Sequence, residues 1–105
     1  MTAKQGSMEM YGTVARMRLK PGMEQQLAEQ LREFEGLSVP GFVRSTIYRL
    51  DATTNEYMLA VAFETKEAYV ANAESADQDA RYQKMRELLE SDPEWNDGEI
   101  VHMPA

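Results

Sequence analysis

Residues 56–64, EYMLAVAFE, form the most apolar stretch of the chain, and they decide its fold. Apolar side chains at both parities are typical of a strand that lies at the centre of a sheet and is buried on both faces. Residues 42–50, FVRSTIYRL, have the composition of another strand, and the polar residues 51–55, DATTN, give a connection of hairpin length. The sequence therefore predicts an antiparallel hairpin whose second strand is central.

The segment before this hairpin, residues 8–20, alternates between apolar and mixed positions. One parity predicts a core face and the other a mixed face, which is the pattern of a strand. The predicted core face holds Tyr11, Thr13, Ala15, Met17 and Leu19, and the mixed face holds Gly12, Val14, Arg16, Arg18 and Lys20. Arg16 and Arg18 could attract an anionic substrate or form ion pairs across an interface between subunits.

Two helical regions follow from spacing and from capping residues. Leu27, Leu31 and Phe34 recur at helical intervals, so a helix is predicted over residues 23–36. Thr65 is a predicted N-cap for a short helix through Ala73.

The rest of the chain is predicted to contain one more helix and one strand. Residues 75–78, SADQ, have the spacing of a capping box and start a helix that runs to about residue 90. Residues 96–98, NDG, predict a turn, and residues 99–103 predict a short final strand.

This order of elements predicts an α+β fold, a ferredoxin-like βαββαβ antiparallel sheet with helices on one face. The face without helices includes Val14, Met58, Ala60 and Ala62, or else the residues of opposite parity on the same strands. An apolar face of this size is rarely left in water, so we expect a second copy to pack on it sheet to sheet, giving a homodimer. The alternative is that the polar edges of the sheet and its arginine side chains solvate this face.

Composition excludes several classes of protein. The formal net charge is −7, so the surface as a whole repels nucleic acid and anionic lipid, and neither nucleic acid nor membrane is an expected partner. The chain has no cysteine, which excludes disulfides, thiolate nucleophiles and cysteine-based metal sites. A cytoplasmic location is expected. Residues 1–7 predict a tag remnant or a disordered N-terminus, and residues 8–105 a single domain.

Three stretches resemble the antibiotic biosynthesis monooxygenase domain family, which belongs to the dimeric α+β barrels. Residues 14–31, VARMRLKPGMEQQLAEQL, resemble the first strand, turn and helix of the family. Residues 40–65 resemble its Pro-Gly entry and hairpin, and residues 63–75, FETKEAYVANAES, resemble the segment after the third strand. Phe63 stands where the family usually has Trp, and Asn72 stands where it usually has His.

The resemblance implies a cofactor-independent monooxygenase acting on a small aromatic, quinol- or polyketide-like molecule. Such an enzyme assists deprotonation of an electron-rich phenol and lets the substrate carbanion react with oxygen, which needs no metal and no cofactor. The haem-degrading branch needs an axial His, and with Asn72 at that place haem ligation is not expected. The alternatives are a dimeric α+β barrel that binds a small ligand without turnover, or one with only a structural role.

Two polar residues are candidates for catalysis. Asn72 could donate a hydrogen bond to a substrate oxygen, or it could bond its own backbone at a helix end. His102, on the predicted final strand, could act as a base, or it could be a structural or exposed residue. The candidates for substrate binding are aromatic residues able to line a pocket, some of which could instead belong to the core: Tyr11, Tyr48, Phe63, Tyr69, Tyr82 and Trp95.

Overall fold

The computed structural model describes residues 9–104, and the prediction for residues 1–7 lies outside these described residues. The elements are, in chain order, β1 (Tyr11–Arg18), α1 (Glu24–Glu35), β2 (Phe42–Arg49), β3 (Glu56–Phe63), α2 (Lys66–Ala73), α3 (Ala76–Arg86) and β4 (Glu94–Glu99). No helix among the described residues is both long enough and apolar enough to cross a membrane.

The strands form one antiparallel sheet in the order β2-β3-β1-β4. β3 is central, as residues 56–64 predicted. The four strands and three helices therefore confirm the ferredoxin-like α+β fold.

The alternation of β1 is confirmed. Its inner face, which points towards the helices, is buried at Thr13, Ala15 and Met17, whereas Val14 and Arg16 on the outer face are exposed. Residues paired across neighbouring strands lie on the same face of the sheet. Ala15 pairs with Leu59 on β3 and with Trp95 on β4, so these residues share the inner face.

The side chains at one end of the inner face are closely packed, and we call this the closed end. It is sealed by α1 and by the segment that follows α3. The hydrophobic cluster there consists of Ala15, Met17, Leu19, Leu27, Tyr57, Leu59, Leu88 and Leu89.

The predicted end of the last helix was wrong. α3 ends at Arg86 and not near residue 90. Leu89 instead forms a β-bridge with Leu19, and the Glu90 amide donates to the Arg18 carbonyl at 2.9 Å. The backbone groups of this segment bond to the end of β1, so they do not form another turn of the helix.

The predicted final strand was also wrong. Residues 96–98 are not a turn but the middle of β4, where Asn96, Asp97 and Gly98 pair with β1. The structure assigns no strand to residues 100–104. Local turn preference was outweighed here by pairing with a central strand.

The outer face of the sheet is apolar at its centre and charged at one end. Val14 is 44% exposed, and Met58 and Ala60 beside it are half-buried. Arg16 and Arg18 both bind the Glu56 carboxylate, at 3.1 and 2.6 Å, so these two arginines form ion pairs within their own sheet.

Candidate active site

A cavity of about 660 Å³ lies between the other end of the inner face, which we call the open end, and the three helices. Its volume falls in the range of pockets that hold small molecules. Aromatic side chains line it. They are Phe34, Phe63 and Tyr69, together with Tyr82 and Trp95, whose ring centroids lie 6.1 Å apart.

α2 is held close to the sheet by its first turn. Thr65 caps the helix, with its hydroxyl accepting from the Ala68 amide at 3.0 Å, as predicted. Gly41, at φ +80°, lies under Ala68, and a Cβ on Gly41 would lie only 2.5 Å from the Ala68 Cβ. Tyr69 and Asn72 follow Ala68 on this helix, and both line the cavity.

The break between α2 and α3 fixes Asn72. Ser75 caps α3 by accepting from the Gln78 amide at 3.1 Å, and its hydroxyl donates to the Asn72 carbonyl at 2.8 Å. Residues 75–78 therefore form half of the predicted capping box. The Gln78 side chain bonds other side chains instead.

The Asn72 side chain belongs to a polar group that we call the Asn72 cluster, formed by Asn72, Gln78 and Arg81. Arg81 donates from Nη2 to Asn72 Oδ1 at 3.2 Å and from Nε to Gln78 Oε1 at 3.1 Å. Asn72 Nδ2 donates to Gln78 Oε1 at 3.4 Å. The interpretation that Asn72 bonds its own backbone does not describe this side chain.

Arg81 gives the Asn72 cluster a positive charge. The guanidinium lies 5.1 Å from the centre of the Phe34 ring, a cation–π geometry that fixes its plane. None of the ion pairs among residues 9–104 includes Arg81. Its charge is therefore available to an anionic group in the cavity.

A second polar group, the Tyr69 cluster, consists of Thr13, Tyr69 and Asp97. The Tyr69 hydroxyl donates to Asp97 Oδ1 at 2.9 Å, and Asp97 lies directly opposite Thr13 in the pairing of β4 with β1. Burial, and then the bond to Asp97, raise the pKa of Tyr69 to about 12. Tyr69 therefore keeps its proton at neutral pH.

Five of the eight predicted site residues line the cavity. They are Phe63, Tyr69, Asn72, Tyr82 and Trp95.

The other three lie elsewhere. Tyr11 packs behind Tyr69, with ring centroids 5.3 Å apart. Tyr48 is 59% exposed and lies on the outer face, opposite Met58. His102 is exposed beyond the end of β4 and does not line the cavity of its own chain.

Sequence reasoning missed Thr13, Asp97 and Arg81 as cavity residues. Thr13 had a signal, because it is the one residue with an aliphatic hydroxyl among the predicted core positions of the first strand. Asp97 was hidden by its assignment to a turn. No three His, Asp or Glu side chains between residues 9 and 104 are grouped as a metal site requires.

The family model described as antibiotic biosynthesis monooxygenase matches residues 10–87. The comparison with curated protein sequences gives no match.

Several solved structures share the fold. A variant of SnoaB, a cofactor-independent oxygenase from Streptomyces nogalater, is 18% identical with a TM-score of 0.74, covering 90% of this chain and 96% of SnoaB. A Nitrosomonas europaea protein proposed to be an antibiotic biosynthesis monooxygenase is 17% identical with a TM-score of 0.73, covering 90% of this chain and 92% of its own. A Nitrosomonas europaea protein of unknown function is 22% identical with a TM-score of 0.70, covering 95% and 99%. At these identities the likeness shows the fold alone.

Proposed function

This chain belongs to the antibiotic biosynthesis monooxygenase family, and from that premise we propose that it is a cofactor-independent monooxygenase acting on a small aromatic, quinol- or polyketide-like substrate. The observation that carries the proposal is the cavity of about 660 Å³, which combines aromatic side chains with fixed polar groups. Aromatic side chains suit a flat aromatic ring, and polar groups at fixed positions can orient its oxygens.

The reaction proposed for this cavity needs only the substrate and dioxygen. Deprotonation of a phenol or anthrone gives an electron-rich anion, which reduces dioxygen as a carbon–oxygen bond forms. The oxygen–oxygen bond then breaks. One oxygen atom stays as a new carbonyl, and the other leaves as water with two hydrogens of the substrate, both from the oxidised carbon of an anthrone, or one from that carbon and one from the hydroxyl of a phenol.

The Asn72 cluster supplies the electrostatic part of this mechanism. One amide N–H of Asn72 and several N–H groups of Arg81 remain without a hydrogen bond among the described residues, and both side chains line the cavity. Hydrogen-bond donors held in place beforehand favour charge that develops in the transition state. We therefore assign Asn72 and Arg81 to an oxygen of the substrate that is conjugated with the ionising hydroxyl and takes up part of the negative charge.

Oxygen uptake with anthrone- and quinol-type substrates, without added metal, tests this proposal. Asn72→Ala should lower kcat by about 5- to 150-fold, as for the loss of one buried hydrogen bond, and should change KM less. Gln83→Ala removes an amide from the exposed side of α3, away from the cavity, and should keep full activity.

The outcomes separate the candidate functions. Full activity in Asn72→Ala would remove this residue from the site. If the substrates bind but no oxygen is consumed, the alternative applies, a barrel that binds a small ligand without turnover. Phe63 and Asn72, at places where the family usually has Trp and His, are the residues that favour this alternative.

The homodimer is also a proposal, and it rests on the outer face. Ala60 lies between Val14 and Thr46 in the sheet, so a charge there enters the centre of the apolar patch. The wild-type chain should sediment at twice its 12.0 kDa mass, and Ala60→Arg should sediment as a monomer. Ala80→Arg, an exposed position on α3, is the matched control and should stay dimeric. A wild-type monomer at micromolar concentration would refute the proposal.

Three expectations stay predictions. They are the absence of haem ligation, the cytoplasmic location and the role of His102 as a base.

A further inference from the structure

The Thr13 hydroxyl is a buried polar group without a hydrogen-bond partner among the described residues. Thr13 is 5% exposed, lines the cavity from the inner face of β1, and has an Oγ1 atom buried from solvent. Nearly all buried hydroxyls in proteins are hydrogen-bonded, so an unpartnered one facing a cavity calls for a physical reason. An oxygen atom of a ligand would satisfy it.

The neighbours of Thr13 show what kind of ligand oxygen fits. Tyr69 lies beside it, since the Tyr69 hydroxyl bonds to Asp97, the residue directly opposite Thr13 in the pairing of β4 with β1. Against the larger effects of burial and Asp97, the Thr13 hydroxyl is close enough to lower the pKa of Tyr69 in part through a side-chain hydrogen-bond interaction, but the two groups do not meet ordinary hydrogen-bond distance and angle. The Tyr69 proton already points to Asp97 Oδ1, so a lone pair of the Tyr69 oxygen is free to accept.

Asp97 connects this position with solvent. It lines the cavity, yet it belongs to β4, whose residues are all exposed. The other charged or titratable groups near Tyr69 are Tyr11, packed against its ring, and Lys66, whose Nζ lies 5.5 Å from the centre of the Tyr11 ring.

We infer that Thr13, Tyr69 and Asp97 form a binding position for an ionisable hydroxyl, phenol or enol, and a route by which its proton leaves. The substrate O–H donates to the Tyr69 oxygen, and Tyr69 passes its own proton to Asp97 Oδ1. The Thr13 hydroxyl donates to the substrate oxygen as that oxygen becomes anionic.

The step balances without a co-reactant. The substrate O–H bond breaks as a Tyr69 O–H bond forms, and the former Tyr69 O–H bond breaks as the Asp97 carboxyl forms. Asp97 then releases the proton to water. This inference rests on the proposed function in one respect, because the anion it generates is the species that reacts with dioxygen.

The binding part can be tested without turnover, using alizarin, a dihydroxyanthraquinone whose colour changes when a hydroxyl ionises. Thr13→Val should raise the pH of ionisation of bound alizarin by about one unit, a tenfold change in its acidity. Thr13→Ser keeps the hydroxyl and should behave as wild type. Thr46→Val removes an exposed hydroxyl from the outer face and should have no effect.

The proton route is tested by oxygen uptake. Asp97→Asn keeps an acceptor for Tyr69 but no longer takes a proton, so kcat at pH 7 should fall by about 10- to 100-fold. Its kcat should then rise with pH, because hydroxide replaces the carboxylate. A merely structural role of Asp97 would not produce this pH dependence.

The results distinguish this inference from the proposed function. If the ionisation of bound alizarin depends on Thr13 but no substrate supports oxygen uptake, the binding position stands and the oxygenase activity is refuted. Oxygen uptake that Asp97→Asn leaves unchanged, or an ionisation that Thr13→Val leaves unchanged, overturns the inference. Failure of the wild type to bind alizarin also counts against it.

Discussion

The closed end and the open end of the inner face differ in how the helices cover them. At the closed end Met17, Leu19 and Leu89 are fully buried, with α1 contributing Leu27. At the open end α2 and α3 cover the sheet without burying a single residue of their own. The same strands therefore carry a packed core at one end and a cavity at the other.

This difference shows where buried polar groups can lie with little loss of stability. The closed end is apolar apart from the hydroxyl of Tyr57, whereas both polar clusters lie at the open end. Close packing supplies most of the stability of a small domain, and polar groups that wait for a ligand weaken it. Because the close-packed core and the polar groups lie at different ends of one sheet, the closed end can stabilise a site that itself contributes little to stability.

The largest expected effect is the difference in stability between a Leu→Ala substitution at the closed end and one at the open end. Leu89→Ala removes a fully buried side chain and should lower the free energy of unfolding by about 2–5 kcal/mol. Leu37→Ala removes a side chain that lines the cavity and is 46% exposed, so its cost should stay below about 1 kcal/mol. Urea unfolding measures both, and equal costs would show that the two ends are packed alike.

Much of this fold could be predicted from local pattern. The alternation in β1, the apolar β3 and the caps at Thr65 and Ser75 each depend on residues close together in the chain. β4 was missed because its strand character comes from pairing with β1, which is distant in the sequence, and its local sequence favours a turn.

The site shows the same division. Asn72 was a predicted site residue because it stands where the family usually has His, and the structure places it on the cavity wall. Thr13 and Asp97 were not predicted as a pair, since only the register of β1 with β4 brings them opposite each other. Arg81 was missed because its distance from Asn72 depends on the angle between two helices.

A second, smaller effect is expected from adding volume at each end. Ala15→Leu inserts atoms where no space exists and should cost about 1–3 kcal/mol. Ala73→Leu adds the same atoms at the edge of the cavity, where they meet open space, and should change stability by less than about 0.5 kcal/mol. Thermal unfolding measures the difference. A destabilised Ala73→Leu variant would mean that the open end is tighter than the cavity indicates.

The smallest expected effect is a pH dependence that belongs to the open end alone. The pKa of Tyr69 is raised from 10.0 to about 12, by burial first and then by its hydrogen bond to Asp97. Above pH 10 the unfolded chain gives up this proton while the folded chain keeps it. The stabilisation is therefore complete below pH 10 and is lost as the pH rises through 12.

Tyr69→Phe has no such proton to lose. The free energy of unfolding of the wild type should therefore fall faster than that of Tyr69→Phe between pH 10 and pH 12, and in parallel with it below pH 10. Urea unfolding at several pH values measures the two curves. Tyr48→Phe, which removes an exposed phenol from the outer face and leaves the Tyr69–Asp97 bond in place, should retain the wild-type pH dependence. Parallel curves for wild type and Tyr69→Phe across the whole range would mean that Tyr69 is solvated, and that the open end lacks the burial that makes its polar groups different from those on the surface.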